Sequence, residues 1–157
     1  MVACLSSPVA ELNTGQLPRA VHIPFADHLR LDSPRSSDGS AQMAYQARAE
    51  HLNSFGIVHG GAVMTLLDVV MASAARSLQP EMGMITIELK TSFMRPAQGA
   101  LTALGEVLHR TRKLAFVEGR VVDDQGQLCA HATGTFKYAP RKLSPTPRGA
   151  GDAIESA

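Results

Sequence analysis

The hydrophobic rhythm of this chain changes at residue 80. Residues 61–78 are apolar almost throughout, contain no Pro, are rich in Ala, Leu and Met, and stop at Gln79 and Pro80. That composition and that stop predict a helix over 61–78. Beyond it the pattern alternates. Across 84–94, Ile85, Ile87 and Leu89 alternate with Thr86, Glu88 and Lys90, as a half-buried strand requires. Further strands are predicted at 100–110, after a turn at 96–99, and at 114–122 and 127–138, which residues 123–126 join as a hairpin. The last strand sets Leu128, Ala130, Ala132, Gly134 and Phe136 on one face and Cys129, His131, Thr133 and Thr135 on the other. Upstream, 21–31 fits a strand or a short helix, 33–39 a turn and 41–48 a strand. Residues 1–20 and 140–157 mix Ser, Pro and Gly with scattered apolar residues and read as loosely ordered ends around one domain, 21–139. A single long apolar helix followed by antiparallel strands argues for an α+β domain, its sheet packed on and wrapped around the helix.

On a wheel of 3.6 residues per turn the helix is apolar all round, so it is expected to be surrounded on most sides. Asp68 lies on that wheel beside Met64, Ala72 and Ala75. A carboxylate there loses water, which fits either a hydrogen-bonded structural acid or a functional one. Just upstream, His59-Gly60-Gly61 opens the helix. The free N–H groups of a helix amino end can hold a developing oxyanion, and glycine lets a carbonyl come close to the backbone. Eight residues at ~1.5 Å each put Gly60 and Asp68 roughly 12 Å apart, too far for both to reach one carbonyl. Two antiparallel helices across a two-fold axis remove that obstacle, so a homodimer with shared sites is expected. Pairing of sheet edges in such a dimer would also cover strand hydrogen-bonding groups.

Charge and composition narrow the field further. Among 157 residues, 15 Lys and Arg face 14 Asp and Glu, which leaves no basic field for nucleic acid. The two cysteines, Cys4 and Cys129, suit reduced thiols in a cytoplasmic protein better than a disulfide framework. No stretch reaches the ~18 apolar residues of a spanning helix, and residues 1–10 carry no basic segment, so neither export nor a membrane is expected. The six histidines form no close cluster, so no metal is expected. A Gly-x-Ser-x-Gly elbow, a phosphate loop and a dinucleotide fingerprint are all absent from the sequence.

The run Asn53-x-x-Gly56-x-x-His59-Gly60-Gly61, with Asp68 seven residues later, resembles the hotdog-fold thioesterases, specifically the phenylacetate-pathway (PaaI-type) branch. Thr86-Ile-Glu88-Leu-Lys90, Phe93-Met-Arg95-Pro96-Ala97 and Arg112-Lys-Leu-Ala-Phe116 extend the likeness over residues 41–138. The resemblance implies a hotdog fold and an acyl-CoA thioesterase, aryl or medium-chain in its acyl group. Asp68 is then the catalytic carboxylate, the Gly60 N–H polarises the carbonyl, Asn53 places water or substrate, and Thr86 assists the water. It also implies that His59 orients the loop or contacts the thioester, with Gly61 beside it. Arg95, Arg112 and Lys113 meet the phosphates of coenzyme A, which is part of the substrate and the only group of cofactor type involved. The expected assembly is a dimer or a tetramer. Two other readings stay open: a hotdog enoyl-CoA hydratase, disfavoured because no His follows Asp68 before His109, and a non-catalytic acyl-CoA sensor, disfavoured because no DNA-binding segment accompanies the domain.

Overall fold

The computed structural model describes residues 23–141. A short helix α1 (Pro24–His28) is followed by the hairpin β1 (Arg35–Ser37) and β2 (Ser40–Gln46), then by a single 3-10 turn at Ala49–His51. The long helix α2 (Gly60–Ser77) precedes four long strands: β3 (Met82–Phe93), β4 (Ala100–Arg110), β5 (Leu114–Asp123) and β6 (Leu128–Pro140). All six strands form one antiparallel sheet in the order β1-β2-β4-β5-β6-β3. The fold is thus α+β, with one long helix laid against a six-stranded antiparallel sheet.

Most predicted elements lie within two residues of the observed ones, because each was bounded by a proline or a turn. The expected turn over 33–39 is the exception. Its middle, Arg35–Ser37, forms β1, a three-residue edge strand whose Arg-Ser-Ser sequence has no apolar alternation to announce it, and only Asp38 and Gly39 turn, both at positive φ. The open choice over 21–31 falls to the short helix. Residues 1–20 lie outside the described residues, as does the expected tail from 142 onward; Pro140, placed in that tail, instead closes β6.

The core lies between α2 and the sheet. Leu66, Leu67, Val70 and Met71 are fully buried there beside Ala103, Val117 and Phe136, and full burial of such side chains stabilises by about 1.5–3 kcal/mol each. Glycine lets the two layers approach: a Cβ on Gly105 would stand 3.0 Å from the Val70 carbonyl oxygen. Tyr138 Oη donates to the Ala75 carbonyl at 3.0 Å and so ties the end of β6 to the last turn of α2.

The helix is covered on most sides, as the wheel suggested, but not on all. Gly61 and Met64 are exposed, and Gly60, Thr65, Asp68 and Ala72 are half-buried, so one stripe of α2 stays open within the chain. This stripe borders β3, the long edge strand, where Ile85 and Ile87 are exposed at 50% and 58%. Among the described residues no helix is long and apolar enough to cross a membrane.

Candidate active site

Asp68 sits in the middle of the open stripe. Thr86 Oγ1, from β3, donates to Asp68 Oδ1 at 2.7 Å and leaves Oδ2 without a protein partner among the described residues. Burial raises the Asp68 pKa above the ordinary carboxylate range, and the Thr86 hydrogen bond offsets part of the rise. The result is a basic carboxylate, oriented on one oxygen and available on the other.

Two turns toward the amino end, Gly60 begins the helix. His59 is its N-cap, with its Nδ1 accepting the Gly61 N–H at 2.9 Å. In the neutral ring the proton therefore sits on Nε2, at an exposed position. Glycine at 61 leaves room for this cap, since a Cβ there would stand 3.1 Å from His59 Nδ1 and the ring would have to shift. With Gly61 occupied, Gly60 presents the N–H that has no acceptor among the described residues. It is the available donor at the positive end of the helix dipole.

The loop before the helix is held from several sides. Asn53 Oδ1 accepts the Phe55 and Ile57 N–H groups at 2.9 and 3.4 Å, and Gly56 turns the chain at φ +71°. The oxygen of Asn53 thus shapes the loop. Val58 N–H donates to the Ala97 carbonyl and His59 N–H to the His51 carbonyl, at 3.0 and 2.9 Å. His51 is 5% exposed; its Nδ1 accepts the Arg48 N–H at 3.2 Å and contacts Tyr45 Oη at 2.9 Å. The ring proton is then on Nε2, which is buried and has no partner among the described residues. This Tyr45–His51 support was not anticipated, although His51 stands two residues before Asn53; a side chain's burial cannot be read from a loop sequence.

The three expected phosphate-binding cations do not converge within one chain. Arg95 follows β3 and reaches across to the Leu128 carbonyl at 3.0 Å. Arg112 and Lys113 lie in the β4–β5 turn, where the Lys113 carbonyl accepts from Tyr138. Because Tyr138 pairs with Met84 at the start of β3, the two groups occupy opposite ends of that strand, roughly 30 Å apart at ~3.3 Å per residue. Among the described residues no group of three His, Cys, Asp or Glu side chains could hold a metal ion.

Comparison with known proteins accords with this architecture. A family model described as thioesterase superfamily matches residues 55–130, a span that contains Gly60, Asp68, Thr86 and all three cations. A Saccharolobus solfataricus protein called a putative esterase is 31% identical over 67% of this chain and 76% of its own. The chain belongs to the thioesterase superfamily. Among solved structures, a conserved protein of Pseudomonas aeruginosa superposes with a TM-score of 0.71 at 30% identity, covering 74% of this chain and 94% of that one. The Escherichia coli PaaI protein of the phenylacetic acid degradation operon gives 0.67 at 25% identity, over 73% and 83%. The helix and sheet described above are the hotdog fold of this superfamily, and the chain is a hydrolase of the thioesterase and esterase class.

Proposed function

We propose that the protein is an acyl-CoA thioesterase in which Asp68 and Gly60 act on one thioester from two different subunits. The observation that carries this reading is the open stripe of α2. It holds a carboxylate of raised pKa at its centre and an uncommitted N–H at its amino end, with no core residue between them to block access. Both groups sit two turns apart, so an antiparallel second copy supplies the missing half of each site. The long edge strand β3, with its exposed Ile85 and Ile87, suits the same association, since an uncovered apolar edge otherwise invites uncontrolled pairing. Antiparallel pairing of β3 with its copy also brings Arg95 of one chain to the end where the other carries Arg112 and Lys113. The cations that one chain separates would then share one mouth, suited to the phosphates of coenzyme A.

In the reaction, the Gly60 N–H donates to the thioester carbonyl oxygen and stabilises the negative charge that develops on it. Asp68 Oδ2 takes a proton from water as the water oxygen adds to the carbonyl carbon. The carbon–sulfur bond then breaks, and the thiolate recovers that proton, giving acid and thiol. Alternatively Oδ2 adds directly, the thiolate leaves, and water cleaves the anhydride. In either route Thr86 fixes Oδ1 and Asn53 contributes its uncommitted side-chain N–H groups to water or substrate. His59 keeps the helix end in place through Gly61 and offers Nε2–H at the entrance. No cofactor beyond the coenzyme A of the substrate takes part.

The test is thiol release from a panel of aryl and medium-chain acyl-CoAs. Turnover by the native chain, lost on Asp68→Asn in a protein that stays folded, is the expected result. Tight acyl-CoA binding without turnover of any member would instead identify a sensor.

A further inference from the structure

We propose that Phe93 is a specificity-determining residue that limits the substituents an acyl group can carry on the carbon next to its carbonyl. The inference rests on the acyl-CoA reading above and adds to it the feature of the acyl group that is selected.

Phe93 ends β3 in register with Ala130, on the face that looks toward α2. Its ring points at the first residue of the helix. A Cβ built on Gly60 would meet Phe93 Cζ at 3.4 Å, Cε1 at 3.6 Å and Cε2 at 4.0 Å, so the tip of the ring is what touches this position. The ring nevertheless remains 54% exposed, and Met64, one turn further along the open stripe, is 37% exposed. An aromatic wall therefore stands beside the free Gly60 N–H with one side uncovered. Its backbone is fixed: the N–H groups of Met94 and Arg95 both donate to the Cys129 carbonyl, at 2.8 and 3.2 Å. The wall therefore rises from an anchored strand end.

A carbonyl oxygen held by the Gly60 N–H lies about 2.9 Å from that nitrogen. The groups on its carbonyl carbon are then within reach of a ring that stands at van der Waals distance from where a Gly60 Cβ would lie. Of the two groups, the apolar surface of Phe93 and Met64 suits the acyl chain better than the polar arm of the coenzyme. An unbranched acyl carbon passes such a wall. A second substituent on that carbon collides with it.

The experiment compares kcat/KM for hexanoyl-CoA and 2-methylhexanoyl-CoA with the native chain, Phe93→Leu and Phe93→Ala. The native chain should favour the unbranched ester. Phe93→Ala should narrow that preference by about tenfold or more, the scale at which pockets resolve single carbon groups, and Phe93→Leu should fall between. Phe93→Leu keeps an apolar residue at the strand end, so it carries the comparison if Phe93→Ala unfolds. An unchanged ratio in folded, active variants overturns the inference and leaves the thioesterase reading intact. A native chain that hydrolyses no acyl-CoA of any class overturns that reading, and this inference with it.

Discussion

The two sides of α2 are made by the same eighteen residues and meet opposite demands. On the sheet side, Leu66, Leu67, Val70 and Met71 are fully buried in the core between helix and sheet. On the open side, Gly60, Met64, Asp68 and Ala72 follow one another at four-residue spacing and are left partly uncovered. The sheet side is optimised for burial alone. The open side keeps a carboxylate where its charge is penalised and glycines where alanine would form a better helix. Groups that lower stability without an evident packing gain mark the functional face of an element.

Substitutions on the two sides should therefore separate activity from stability. The largest effect is expected from Asp68→Asn. Thiol release should fall by about a hundredfold or more, the scale of a lost acid–base group, while the melting temperature at neutral pH should rise. The sign follows from the raised pKa: burial penalises the ionised form, so the folded protein bears this penalty only once pH has risen past the ordinary carboxylate pKa, and it is fully developed above the raised one. An amide does not bear it. Leu67→Ala tests the other side. Chemical denaturation should report a loss of about 2–5 kcal/mol, with kcat/KM per folded molecule within about threefold of native, since the side chain is buried against Gly119 of the sheet.

Smaller effects sharpen the contrast. Thr86→Val removes the hydrogen bond that favours ionised Asp68, so the acid limb of the kcat/KM profile should move to higher pH. A limb that stays in place or moves down would show that Asp68 is not the titrating group. Gly61→Ala should change stability least, because the better helix former offsets by up to about 1 kcal/mol the loss of the His59 cap. Its expected signature is a lower kcat with little change in melting temperature, as the displaced cap turns the Gly60 N–H away from its target.

How much of this was legible in the sequence depends on how far apart the interacting residues are. The helix and β4 to β6 were readable because apolar runs, alternation and turn residues are local signals. The Arg-Ser-Ser of β1 gave no such signal, since its one buried position, Ser36, is polar. Asp68 and the glycines before it stood out as exceptions to their surroundings. The open stripe did not, because the wheel records which residues are apolar and not which neighbours are present. Contacts across elements escaped for the same reason. The Tyr45–His51 support, the Thr86–Asp68 hydrogen bond and the Phe93 ring on Gly60 each join residues whose proximity only the folded chain creates. Thr86 was singled out through the family resemblance alone.

The central claim is that each site takes Gly60 from one chain and Asp68 from the other, and subunit mixing tests it most directly. Asp68→Asn removes the carboxylate, and Gly60→Pro removes the N–H. Proline is accommodated at the first position of a helix, and His59 at φ −58° and ψ 135° already has the backbone that precedes it comfortably. Each variant alone should be inactive. Co-refolded in equal amounts, they should recover about a quarter of native thiol release, because half of the dimers are mixed and each mixed dimer holds one intact site. Mixed dimers that form, as shown by tagged co-purification, yet release no thiol would contradict the shared site and place both groups on a single chain.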